Sequence, residues 1–183
     1  MIDNFTNVLV DSPFLLWMLN SAVLAAGSVL LSTIISCLAG YAIACMEFRG
    51  RETLLAISTS LMAVPPVVMI VPLFVLYSQL DLISTYQGAI IIYAGLITPF
   101  SVYLLTTFFR TVPRELFESA RIDGAGPFLI LRKIVMPLSL PAIVTLIVVN
   151  SLYVWNDLLI AIIFGGVRSG VFTATESSCI ARS

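Results

Sequence analysis

Few side chains in this chain can do chemistry, and their types limit what they could do. The 183 residues include no histidine, which leaves neither an imidazole metal ligand nor a histidine general base. Cys37 and Cys45 lie eight residues apart in one apolar run, and Cys179 stands alone. A helix would hold the first two too far apart to bridge, so neither a disulfide framework nor a metal knuckle is encoded. Asp157, directly after Trp155 and Asn156, is a carboxylate among apolar residues and by default a functional candidate. It also falls about 20 residues past Pro137, roughly 30 Å at the helical rise. A polar helix end at the far membrane face accounts for it equally well. No catalytic residue, metal ligand or cofactor site is assigned, and the absence of G-x-x-x-x-G-K-[ST] leaves no P-loop for ATP.

A different chemistry, the docking of mixed charged and apolar side chains, is suggested by residues 111–137, TVPRELFESARIDGAGPFLILRKIVMP. Thr111 can cap, Pro113 suits a first helical turn, and Glu115 and Glu118 favour the positive end of the helix dipole. Leu116, Phe117 and Ala120 form an apolar stripe opposite Arg114, Glu118 and Arg121. Gly124 supplies a C-terminal stop. Pro127 opens a second short helix with Phe128, Leu131, Ile134 and Val135 on its apolar face, and Pro137 ends it. Two readings of this helix–turn–helix stand: a connector resting on lipid headgroups, or a knob that docks a cytoplasmic partner.

The elements that carry these residues belong to a membrane. Hydrophobic residues make up 60% of the chain and charged ones 10%, with mean hydropathy +1.08. Soluble domains run at roughly 45–50% apolar and about 25% charged. Charge-poor stretches define four spans, 14–46, 54–80, 87–109 and 138–164, the last running on past Asp157. The loops after the first and third spans hold seven of the nine basic residues, which places them in the cytoplasm and both termini outside. A net charge of −1 without a basic patch argues against nucleic-acid binding. The fold class expected is all-α, a polytopic transmembrane helical bundle with a cytoplasmic amphipathic loop.

Two features of the spans concern packing. Ser28, Ser32, Ser36, Gly40 and Ala44 recur every four residues, a small-residue face for a neighbouring helix, within this subunit or at a subunit seam. Pro65 and Pro66 sit near the middle of the second span, where they should kink or open the helix. The bend serves either packing or the lining of a pathway.

The cytoplasmic segment resembles the EAA loop of ATP-binding-cassette importer permeases: E-A-A, three residues, G, nine residues, I, one residue, L-P. Here the match is Glu118-Ser119-Ala120, Gly124, Ile134 and Met136-Pro137, with Ser119 and Met136 departing mildly in volume. Asn20-Ser21, Phe48-Arg49-Gly50, Pro65-Pro66, Phe109-Arg110, Pro113-Arg114-Glu115-Leu116, Ala120-Arg121-Ile122-Asp123-Gly124-Ala125, Pro137-Leu138-Ser139-Leu140-Pro141-Ala142 and Trp155-Asn156-Asp157 are similar to the carbohydrate-uptake, maltose-type permeases.

The resemblance implies that the loop is a coupling helix. It would seat in a cleft of a cytoplasmic ABC ATPase dimer through Glu118, Ser119, Ala120, Arg121, Asp123, Gly124, Ala125, Ile134 and Pro137. Gly124 would form the turn on which it pivots. Pro65, Pro66, Asn156 and Asp157 are the candidate pathway residues. The implied partners are a companion permease, an extracytoplasmic solute-binding protein, membrane lipid and a sugar, at the bacterial cytoplasmic membrane.

Relatives usually have six spans, so residues 1–164 read as a partial transmembrane domain lacking the first and last. Residues 165–183 read as an atypical tail, more in keeping with a frameshifted or truncated end than with a short external segment. Sugar import is the first functional reading. The alternatives are an ABC permease for a non-sugar solute, and a non-transporting membrane scaffold that docks a soluble partner. An intramembrane enzyme is disfavoured for want of a nucleophile–base pair.

Overall fold

The computed structural model describes residues 14–83, 85–157 and 160. The atypical tail at 165–183 lies outside the described residues, as does most of the fourth span's stretch beyond Asp157.

The described elements are helices: α1 (Phe14–Cys45), α2 (Arg51–Met62), α3 (Pro66–Gln79), α4 (Tyr86–Phe109), α5 (Arg114–Ile122), α6 (Pro127–Ile130), a π-helical turn (Leu131–Val135), α7 (Met136–Leu138) and α8 (Leu140–Asn156). Two of them are long and apolar enough to cross a membrane alone, over Met18–Cys45 and Tyr86–Phe109. The spans number up to four if α2 with α3, and the helix Pro127–Leu138 with α8, each count as one bent span. The proline pair opens its helix. α2 stops at Met62, Pro65 lies outside any helix, and Pro66 is the first residue of α3, where a missing N–H costs nothing.

The chain divides into two compact units. The first comprises the described parts of Met1–Ser28, Pro66–Tyr93 and Ser151–Ser183. In it α1 approaches α4 at Gly27, where an added Cβ would fall 2.9 Å from the Ile90 side chain. The Tyr93 hydroxyl donates to the Asp157 carbonyl at 3.5 Å.

The second unit, Val29–Pro65 and Ala94–Asn150, holds the cytoplasmic segment and the core beneath it. Its part of the small-residue stripe packs inside the chain. The Ser32 hydroxyl lies 3.1 Å from Thr98 Oγ1 and 3.4 Å from Ser101 Oγ. A Cβ on Gly40 would meet Leu105 Cβ and the Thr106 nitrogen at 3.3 Å. Residue numbers rise together along this seam, so α1 and α4 run parallel, as two spans with one intervening crossing must. α8 joins them through Asn150, 2% exposed, whose Nδ2 donates to Ser101 Oγ at 2.9 Å. Three helices thus share one buried polar cluster, satisfied internally where lipid offers no partner.

Toward the end of α4 the contacts turn apolar. Cys37, Tyr41, Leu105, Phe109, Ala120, Ile130, Leu131, Val135 and Leu146 belong to one buried cluster, the foundation on which the cytoplasmic segment rests.

Candidate functional site

The segment expected to dock a partner folds as an amphipathic helix with a defined stop. Its start departs from the expected cap. Pro113 occupies the N-cap position without a side-chain hydrogen bond, and the Thr111 hydroxyl donates instead to the Phe108 carbonyl at 2.7 Å. Glu115 lies in the first turn and Arg121 in the last, each complementing the helix dipole.

The C-terminus of α5 closes with two nested bonds. The Ala125 N–H donates to the Ala120 carbonyl at 2.9 Å, and the Gly124 N–H to the Arg121 carbonyl at 3.0 Å. This is the Schellman pattern, which requires a left-handed residue just past the helix. Gly124 supplies it with φ 78. A Cβ there would meet nothing within 4 Å, so the requirement for glycine comes from backbone conformation and not from crowding.

α5 turns two different faces to its surroundings. Ala120 is buried in the apolar cluster, with Phe117, Ala125 and Ile134 packed against it half-buried. Glu118, Ser119, Arg121 and Asp123 are exposed. So are Leu116, Ile122 at 86% and Phe128 at 69%, which corrects the expected apolar face of the second helix: Leu131 and Val135 point inward, and Phe128 does not. The outer surface is therefore acidic, basic and apolar at once.

Pro137 also departs from expectation. The helix passes through it as α7 and breaks at Ser139, after which α8 leaves at 77°. The carbonyl that a helical Pro137 would crowd belongs to Lys133, inside the π-helical turn Leu131–Val135. Widening the helix there relieves the clash that would otherwise stop it.

The first cytoplasmic loop forms part of the same site. Gly50, left-handed at φ 96, is the N-cap of α2, which explains the glycine of Phe48-Arg49-Gly50. Glu52, in the first turn of α2, accepts a hydrogen bond from Arg110 Nη2 at 2.7 Å and has Arg51 Nε at 3.6 Å. An open cleft of about 610 Å³ is lined by Glu47, Arg51 and Glu52 of the loop together with Arg110, Arg114, Glu118 and Arg121. Charge alternation along Glu47-Phe48-Arg49-Gly50-Arg51-Glu52 is the sequence signal that could locate this pairing.

The candidate pathway residues are placed differently. Pro65 and Pro66 are exposed at the helix break and Asn156 is exposed at the end of α8. The Asp157 carboxylate accepts the Ile160 N–H at 3.1 Å, the i to i+3 bond of an N-cap side chain. Among the described residues of this span the buried polar ones are Ser139 and Asn150, neither of them charged.

Comparison with known proteins supplies the context. The family described as "Binding-protein-dependent transport system inner membrane component" matches residues 32–180. The alpha-glucoside transport system permease protein AglG of Rhizobium meliloti is 38% identical over 170 residues, 90% of this chain and 45% of that protein. The osmoprotective compounds uptake permease protein GgtD of Synechocystis is 34% identical over 174 residues, 95% of this chain and 58% of its own length. A crystal structure of a bacterial ABC transporter that imports the acidic polysaccharide alginate superimposes with TM-score 0.81 at 25% identity, over 91% of this chain and 58% of that one. The chain spans about half the length of the curated relatives it matches.

Proposed function

We propose, from the premise that the chain belongs to the family of binding-protein-dependent transport system inner membrane components, that it is a permease subunit of an ABC importer for a sugar or oligosaccharide. ATP hydrolysis comes from a cytoplasmic ATPase dimer, cargo from an extracytoplasmic solute-binding protein, and the remainder of the pathway from a companion permease. α5 is the coupling helix.

The observation that carries this reading is the Gly124-closed helix α5. Its inner face rests on the chain's own core, while Glu118, Arg121 and Ile122 project outward. A helix fixed on one side and unpartnered on the other can pass movement of a docked subunit to the spans behind it. Such transmission is rigid-body rocking of packed elements. Ala120 serves by being small enough to let α5 lie on the core. Asn156, Asp157, Pro65 and Pro66 are retained as pathway candidates, since open backbone within a membrane is tolerated where it lines a water-filled path. Residues 1–164 are part of the transmembrane domain.

Sugar is favoured because the similar permeases include one named for alpha-glucosides. Cargo of another class is the second reading, since another similar permease is named for osmoprotective compounds. Gly124→Asp, or a bulky residue at Ala120, should abolish labelled-sugar uptake while the subunit stays in the membrane. Normal uptake in either variant would count against the coupling role. Intact uptake on deleting the gene, with a misassembled complex, would point to a scaffold.

A further inference from the structure

We infer that Glu52 and Arg110 form a clasp tying the first cytoplasmic loop to the coupling segment, so that movement of α5 reaches α2 directly and not only through the core. The inference rests on the permease reading and extends it to two positioning residues. The pair joins positions 58 apart in sequence at 2.7 Å. Each partner stands at a mechanical junction. Arg110 immediately follows α4 and lies four residues before α5 begins, with the Thr111 and Val112 N–H groups turning back to Phe108 and Phe109. Glu52 lies in the first turn of α2, whose other end is the break before Pro66.

α2 has no buried residue of its own, so packing does little to couple it to the coupling segment. The ion pair is a specific connection across that gap. Its surroundings suit the role. The cleft lining includes Glu47, Arg51 and Glu52 from the loop and Arg110, Arg114, Glu118 and Arg121 from the coupling segment. The first set sums to one negative charge and the second to two positive charges, so the two elements attract. Both partners are partly exposed, and such a pair adds little to stability. It can still hold register between two elements, because it breaks and re-forms with their spacing.

The test is a charge exchange in the full transporter, assembled in proteoliposomes with its ATPase, companion permease and solute-binding protein. Glu52→Arg and Arg110→Glu should each lower sugar uptake per ATP hydrolysed by about fivefold or more at equal subunit level. The double variant should return it to within about twofold of the parent. Arg110→Lys, which keeps the charge and is gentler on folding, should retain most of the uptake. Parental coupling in both single variants, or a double variant no better than the singles, overturns the clasp alone. Absence of ATP-driven uptake in the parental assembly overturns the permease reading and the clasp with it.

Discussion

Asn150 donates to Ser101 at 2.9 Å inside the buried polar cluster, and Ser32 reaches the same hydroxyl from a third helix. Asn150→Leu removes a donor that ties α8 to the α1–α4 seam. Interhelical hydrogen bonds in membranes average about 0.6 kcal/mol and reach about 1.7. Thermal unfolding in detergent should therefore show a loss of that order, with Asn150→Gln intermediate.

Two glycines on apolar helices should respond with opposite signs. At Gly40 an added methyl meets Leu105 Cβ and the Thr106 backbone at 3.3 Å, and backbone cannot step aside. Gly40→Leu should cost about 1–3 kcal/mol by overpacking. At Gly95 a Cβ meets nothing within 4 Å, and Gly95→Ala should stabilise by up to about 1 kcal/mol. The same detergent melts compare both.

The turn after α5 tests conformation apart from sterics. Gly124 has φ 78 and open space around it, so a replacement is penalised by the left-handed backbone alone, about 1–2 kcal/mol. Gly124→Val should impair uptake more than Gly124→Asn, whose side chain tolerates that region. Equal uptake by the two would mean that the Schellman closure is irrelevant to coupling.

Much of this was legible in the chain. α5 could be read because Phe117 and Ala120 recur with helical spacing opposite Arg114, Glu118 and Arg121, and Gly124 ends the pattern. The small-residue stripe could be read because four-residue spacing follows one helix face. Other features resisted for physical reasons. Asn150 carries no charge, so a criterion built on charge-free runs could not separate it from lipid-facing residues. Pro137 reads as a stop unless the π-helical turn before it is known, and that turn depends on how Leu131 and Val135 pack. Phe128 follows Pro127 directly, too early in its helix for periodicity to show which way it faces. The Glu52–Arg110 pair joins two loops that only the tertiary fold brings together.

Ile122 reports with least ambiguity whether the outer face of α5 holds an ATPase. At 86% exposure it contributes little to the subunit's own core, so Ile122→Asp should leave folding and membrane level unchanged. The decisive measurement is recovery of the ATPase with the tagged permease from solubilised membranes. Docking through α5 predicts a loss of about tenfold or more in ATPase recovered, as expected for an anchor residue near the middle of an interface. Parental recovery from Ile122→Asp membranes would contradict it.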